Sequence, residues 1–165
     1  MILYLKQQVF SWRDRFYVKD EAGIDCYYVE GEIFSWGKKL HIYDISGREV
    51  AFIRQKVMSW LPKYFVEIQG RVVCEIVKEF TFFKPSYRLD GTPASPWAAL
   101  RVDGDFWAHE YSLYDGQRQI MHLSKKWFTW GDSYELDIAQ VQDELLCLCV
   151  ALAVDCALEQ QSNNN

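Results

Sequence analysis

The sequence predicts a mainly β fold, a closed antiparallel barrel of about twelve strands enclosing a hydrophobic C-terminal α-helix. Three observations predict it. β-branched and aromatic runs are broken by Gly and Asp about every eight to twelve residues, which is hairpin grammar. A block of sequence recurs further along the chain. The last long apolar segment, 145–158, shows no polar stripe.

Taken in order, Phe16 to Lys19 is turned by Asp20-Glu21-Ala22-Gly23 into Cys26 to Val29. Leu40, Ile42 and Ile45 flank His41 and Tyr43, and Ser46-Gly47 turns the chain into Glu49 to Met58. On that strand, period-2 alternation puts Ala51, Ile53 and Val57 on the face towards the core. Phe52, Arg54, Lys56 and Met58 then point outward. Gln69-Gly70-Arg71 folds Tyr64–Ile68 back into Val72–Lys78, Pro85 to Pro96 is a loop, and Asp115-Gly116 joins Tyr111–Tyr114 to Arg118–Lys125.

The recurrence is ordered. Val29-Glu30-Gly31-Glu32-Ile33-Phe34 reappears as Val102-Asp103-Gly104-Asp105-Phe106-Trp107, and Tyr43-Asp44 as Tyr114-Asp115. Lys56-Val57-Met58-Ser59-Trp60 is echoed by Lys126-Trp127-Phe128-Thr129-Trp130, and Tyr64–Ile68 by Tyr134–Ile138. Four matches in sequence order indicate two copies of one meander, 27–69 and 100–138, within a single domain spanning 1–160.

The helix is expected over 139–159, opened by a capping box of Asp137 and Gln140 and followed by a disordered tail at 161–165. From Leu145 to Leu158 its only charged side chain is Asp155, so every face needs cover. Twelve strands at ~4.8 Å spacing and ~40° tilt enclose a lumen ~24 Å across, wide enough for a helix of ~10–12 Å. Asp155, close to an unfavourable dipole end, is expected to play a structural role by finding a donor or reaching water at the rim.

Composition narrows the function classes. Aromatic residues make up 16% of the chain and the net charge is −5, which argues against disorder and against a dedicated nucleic-acid binder. The start lacks a basic n-region and a cleavage site, and the longest apolar run, Leu145 to Val154, is half of what a bilayer requires. The five cysteines form no C-x-x-C pair and the three histidines are scattered, so the expectation is reduced thiols, no metal, no cofactor and a cytoplasmic protein.

Ser133-Tyr134-Glu135-Leu136-Asp137-Ile138 followed by Val150-Ala151-Leu152-Ala153-Val154-Asp155 resembles the LURP-one-related family of the tubby-like superfamily. The superfamily also holds the C-terminal domain of tubby proteins and the phospholipid scramblases. Tyr43-Asp44, Tyr114-Asp115 and Phe83-Lys84-Pro85-Ser86-Tyr87 add to the resemblance, which covers nearly the whole chain. It implies a single barrel domain, a structural part for Tyr134 and no established enzymatic activity. Through the tubby relatives it implies binding of membrane lipids, phosphoinositides among them.

Two features carry the functional expectation. Residues 1–88 have a net charge of +3 and 89–165 of −8, and Arg54 and Lys56 are expected to form an outward cationic pair. Lys126 is the counterpart of Lys56 in the second copy. Tubby-type domains resemble this in gripping a phosphorylated headgroup with cations two apart, whereas the structural alternative is a solvated strand face. The second feature is a recurring triplet, Phe10-Ser11-Trp12, Phe34-Ser35-Trp36, Met58-Ser59-Trp60 and Phe128-Thr129-Trp130. Its rings are expected to cap the barrel ends as core, with contact at a lipid headgroup boundary and stacking on nucleic-acid bases as the alternatives.

Catalysis lacks a signature. His41, His109 and His122 accompany no nucleophile elbow, and Glu30/Glu32 and Asp103/Asp105 read as turn-flanking pairs. The sequence therefore points to a non-enzymatic binding or scaffold domain for an anionic lipid headgroup or a protein, with Arg54, Lys56, Trp60 and Lys126 as ligand-binding candidates. The alternatives are an enzyme of unrecognised type, which needs a deep polar pocket joining a histidine to acids, and a scramblase-like lipid handler.

Overall fold

The computed structural model describes residues 1–6, 15–32, 35–82, 84–93, 95–97, 99–128 and 131–162, without the side chains of 6, 127, 128, 131, 132, 161 and 162. Twelve strands are present: β1 Ile2–Lys6, β2 Phe16–Asp20, β3 Asp25–Gly31, β4 Lys39–Asp44, β5 Glu49–Gln55, β6 Lys63–Ile68, β7 Arg71–Lys78, β8 Tyr87–Gly91, β9 Leu100–Asp105, β10 Glu110–Asp115, β11 Arg118–Phe128 and β12 Gly131–Ile138. They form one antiparallel sheet in the order β8-β7-β6-β5-β4-β3-β2-β1-β12-β11-β10-β9. The sheet curls until β8 and β9 lie side by side, but no ladder joins them, so the barrel is nearly closed with one seam. Each seam strand carries an exposed Arg-x-Asp pair, Arg88–Asp90 and Arg101–Asp103, the kind of charge that protects an edge.

Alternation puts one face of every strand inside. Leu3 and Leu5, Leu40 and Ile42, Ala51 and Ile53, Cys74 and Ile76, and Leu113 are buried around the helix. The turns follow from their side chains. Asp20 Oδ1 accepts the backbone N–H of Ala22 and Ile24, and Asp44 Oδ1 accepts those of Ser46 and Arg48. Segments 27–69 and 100–138 occupy β3–β6 and β9–β12, and their ladders shift register at matching places, after Ile42 in β4 and after Leu113 in β10.

A 3₁₀ turn, Val141–Asp143, leads into α1, Glu144–Ser162. Its side chains from Leu146 to Val154 are buried, as are Cys156, Ala157 and Leu158, and it packs on β5, β6, β7, β11 and β12. The helix therefore starts later and runs further than 139–159, and Gln161 and Ser162 belong to it, while 163–165 lie outside the described residues. The expected capping box does not form. Asp137 is exposed on β12, and Gln140 makes no side-chain cap bond. Asp143 instead anchors the entry: buried, it accepts the Trp97 indole N–H at 2.7 Å and an Arg118 guanidinium N–H at 2.6 Å.

Because neighbouring strands are antiparallel and sequential, connections β1–β2, β3–β4, β5–β6, β7–β8, β9–β10 and β11–β12 all lie at one end. The helix enters at the opposite end, beside Arg118, and leaves at this one, where Lys38 pairs with Glu159 and Gln55 Nε2 donates to Gln160.

Candidate functional site

The site residues expected from the sequence do not assemble as a cationic pair. Arg54 points outward from β5, but its Nε donates to Glu67 Oε1 at 2.7 Å on β6 and its guanidinium lies 4.3 Å from the Phe65 ring centroid. β5 ends at Gln55, so Lys56 belongs to the following turn and does not share a strand face with Arg54. Lys126 sits 3.4 Å from Glu135, and five strands separate β11 from β5 around the wall. Glu67 and Glu135 each stand on the strand paired with their cation, so register decides the neutralisation.

Lys56 and Trp60 do come together. The β5–β6 connection borders an open cleft of about 390 Å³ lined by Gly37, Gln55, Lys56, Met58, Ser59 and Gln160. Met58 adopts a left-handed φ of 59°, which turns its side chain out of the barrel. Trp36 is 85% exposed, Met58 97% and Trp60 98%. The expectation that these triplet residues cap the barrel as core is thus overturned: they extend beyond the last lumen layer, where no wall reaches them. Phe10-Ser11-Trp12, Phe34 and Thr129-Trp130 lie outside the described residues.

Exposed rings continue around the same rim. In the β7–β8 connection Phe80 and Phe82 meet edge to face at 5.1 Å, both exposed, beside exposed Lys84. Trp107 is exposed in the β9–β10 turn. Every exposed Trp or Phe among the described residues lies in a connection at the helix-exit end. Charge follows the same axis. Lys38, Lys56, Lys63, Lys84, Lys125 and Lys126 lie towards the exit end among Glu32, Glu79, Asp105, Glu110 and Glu159, whereas Asp20, Asp44, Asp90, Asp115, Asp143 and Glu144 lie towards the entry end among Lys19, Arg48, Arg71, Arg101 and Arg118, so the gradient is a partial one.

Below this rim lies a polar cluster that only Asp155 announced in the sequence. The Asp155 side chain is 14% exposed and its Oδ1 lies 3.6 Å from His109 Nδ1, longer than a hydrogen bond. It therefore lacks the close donor expected of it, while its oxygens keep a small solvent-reachable surface. His109 stacks on Tyr134 at 4.8 Å, and Tyr134 Oη lies 3.5 Å from His109 Nε2. Burial pushes the Asp155 carboxyl up to about 7, with Glu159 adding and Lys38 opposing. Burial and Lys125 push the His109 imidazole down.

The other histidines sit on the outer face of the sheet. His41 bridges Glu32 at 3.0 Å and Glu49 at 2.8 Å. His122 bridges Ser112 Oγ at 2.9 Å and Glu110 at 2.8 Å. The second chain has the residue types of a hydrolytic triad, but it clasps neighbouring strands on a partly exposed face. Glu30 pairs with Arg15, and Asp105 Oδ1 caps the turn N–H groups of Trp107 and Ala108, in keeping with turn-flanking roles. Among the described residues, no group of three or more His, Cys, Asp or Glu could hold a metal ion, and no helix is long and apolar enough to cross a membrane. All five cysteines are free, four of them buried, and burial raises the Cys74 thiol to about 12.

Comparison with known proteins gives relatives at the level of sequence and of fold. Residues 1–155 match the profile of the family described as LURP-one-related. The uncharacterised protein YxjI of Bacillus subtilis is 42% identical over 156 residues, covering 94% of this chain and 93% of YxjI. A crystal structure of a protein from Arabidopsis thaliana superposes with a TM-score of 0.60 over 93% of this chain and 88% of that one. At 16% identity it shares the fold.

Proposed function

The chain belongs to the LURP-one-related family, and from that premise we propose that it is a non-enzymatic binding domain that docks its helix-exit end on an anionic lipid surface. One observation carries this reading: the exposed rings of Trp36, Trp60, Phe80, Phe82 and Trp107 are gathered in connections at a single end. Water-exposed apolar rings concentrated on one rim mark an interaction surface, and aromatic side chains flanked by lysines suit the headgroup boundary of a bilayer. The charge gradient orients the domain, with the lysine-bearing rim towards the membrane and the carboxylate-rich end away. A lysine near an anionic leaflet contributes about 1 kcal/mol, and less where a carboxylate already faces it, as for Lys38 with Glu159, Lys63 with Glu75 and Lys126 with Glu135.

Within this reading Lys56 and Trp60 keep their assigned parts, headgroup contact and interfacial anchoring, while Arg54 and Lys126 serve the wall. The free thiols support a reducing compartment, and hence a cytoplasmic leaflet. We further read the two meanders, with their matching bulges, as copies of one unit. The non-enzymatic part draws support from the histidines: two clasp the outer face, and His109 borders a cavity of about 10 Å³, room for one water.

Flotation with phosphatidylcholine vesicles, with and without phosphatidylglycerol, tests the proposal. Binding is expected with the anionic lipid, weakened roughly tenfold or more by Trp60→Ala or Phe80→Ala and reduced by Lys56→Glu. Binding that ignores anionic content, or no binding at all, overturns it. Capture of a protein through the same rim without vesicle binding would favour a protein partner and likewise overturns it.

A further inference from the structure

We propose that Met58 is an oxidation switch on the docking rim: hydrogen peroxide converts its thioether to the sulfoxide, and the domain leaves the lipid surface. The choice of Met58 stands on exposure and backbone geometry; only the release from lipid rests on the reading above.

The chain has three methionines. Met121 is buried in the lumen and Met1 stands partly exposed at the entry end, whereas Met58 is 97% exposed in the β5–β6 connection. A thioether needs no deprotonation to react, so its rate of oxidation follows its access to the oxidant. Met58 Sδ attacks one peroxide oxygen, and the S–O bond forms as the O–O bond breaks. The departing hydroxide takes the proton of the transferred hydroxyl and leaves as water. The sulfur is oxidised by two electrons and the peroxide reduced by two.

Thiols, the usual competitors, react as thiolates. Cys74, Cys147, Cys149 and Cys156 are buried, and burial holds each of them protonated. Burial also raises the half-buried Cys26 thiol on β3, and no cysteine lies in a connection of the rim.

Two features of Met58 run against stability. Its φ of 59° falls in the left-handed region, where Gly or Asn sits more easily. Its long apolar side chain is left in water, outside the core. The connection that carries it is nevertheless well held. The Lys56 N–H donates to the Lys63 carbonyl at 2.8 Å across its base, and the Gln55 N–H to the Lys38 carbonyl at 2.7 Å. A Cβ on Gly37 would meet Val57 Cγ2 at 3.2 Å, so the β3–β4 and β5–β6 connections pack on each other. Met58 thus borders one cleft with Trp60 and with Gly37, the neighbour of Trp36. Nothing inside the barrel uses this thioether; it adds apolar surface to the ringed rim.

Oxidation reverses that contribution. The sulfoxide is polar, and its oxygen loses water on entering an apolar contact. The change is also reversible, because methionine sulfoxide reductase returns the thioether while a dithiol becomes a disulfide and the oxygen leaves as water.

The test treats the folded protein with dilute hydrogen peroxide at pH 6, stops the reaction with catalase and digests with trypsin. Cleavage after Lys56 and Lys63 puts Met58 in peptide 57–63, apart from Met1 in 1–6 and Met121 in 119–125. Mass spectrometry is expected to show peptide 57–63 gaining one oxygen roughly tenfold faster than 119–125, with fragmentation placing it on Met58. In urea the two rates are expected to converge. Flotation with saturated phosphatidylcholine–phosphatidylglycerol vesicles is expected to weaken roughly tenfold after treatment. Binding is expected to return with methionine sulfoxide reductase and dithiothreitol. Met58→Leu has no thioether to oxidise, so its binding after treatment is expected to equal its own binding before. Met58→Gln, polar at the same place, is expected to bind untreated as weakly as the oxidised protein.

Oxidation of Met121 or of a thiol as fast as Met58 overturns the site. Oxidised Met58 with undiminished vesicle binding, or an equal loss in Met58→Leu, overturns the switch. Selective oxidation in a protein that binds no vesicles in either form overturns the docking reading, and the release with it, and leaves Met58 as the oxidation site. Vesicle binding by a protein whose Met58 oxidises no faster than Met121 does the reverse.

Discussion

Replacing Asp143 by Ala probes how the helix is fixed in its barrel. The carboxylate is buried between the Trp97 indole at 2.7 Å and the Arg118 guanidinium at 2.6 Å, so it ties the β8–β9 loop and the start of β11 to the helix entry. Bonds to an ionised acceptor contribute about 1.5–3 kcal/mol each. Arg118 is partly exposed and recovers hydration when its partner goes, which puts its share at the low end. The Trp97 indole is buried and loses its acceptor outright, a penalty of about 1–3 kcal/mol. The expected loss is about 3–4 kcal/mol, or roughly 6–15 °C in melting temperature for a chain of this size. Urea unfolding of Asp143→Ala, Trp97→Phe and the double variant measures it. Trp97→Phe alone is expected to lose about 1–2 kcal/mol, and the two changes to couple by at least about 1 kcal/mol. A loss below about 1 kcal/mol for Asp143→Ala, or additive effects, would refute the account of the clamp.

Other outcomes follow from single positions. Gly104 has φ 145°, and a Cβ there would meet the Glu110 carbonyl and Tyr111 Cα at 2.5 Å, so Gly104→Ala is expected to destabilise by more than about 2 kcal/mol in thermal melts. A water-soluble thiol reagent is expected to label half-buried Cys26 first, and Cys147, Cys149 and Cys156 only at the rate of unfolding; rapid labelling of those three would disprove the enclosed helix. Burial alone would lower the His41 pKa, but Glu32 and Glu49 outweigh it and raise it. The clasp therefore stabilises below the imidazole's unfolded value, and that stability is lost as pH rises through the folded value. His41→Phe is expected to flatten this part of the pH–stability curve.

Much of the wall was legible in the sequence because hairpin strands are local. Asp20 and Asp44 write their turns into three or four residues, and the all-round apolar character of 145–158 admits only an enclosed helix. The helix entry was misread because its anchor is tertiary: Asp143 is held by Trp97, 46 residues away, and not by a local capping box. The cationic pair failed for a similar reason. Whether Arg54 is free depends on Glu67, which only the β5–β6 register places beside it. The aromatic rim was recoverable in principle. In an up-and-down meander alternate turns share an end, and Trp36 and Trp60 fall in connections of the same parity. Phe80, Phe82 and Trp107 do not repeat the triplet but fall in connections of that same parity.

The unlaced boundary between β8 and β9 bears on how this fold tolerates change. A cylinder knitted all the way round has a girth set by strand number and shear, so a thicker plug would strain every ladder at once. Here one stave can slide or part from its neighbour without severing a main-chain bond. Helices of different calibre can thus be housed in the same twelve-strand wall, and the Arg-x-Asp pairs keep the slack edges from recruiting a foreign strand.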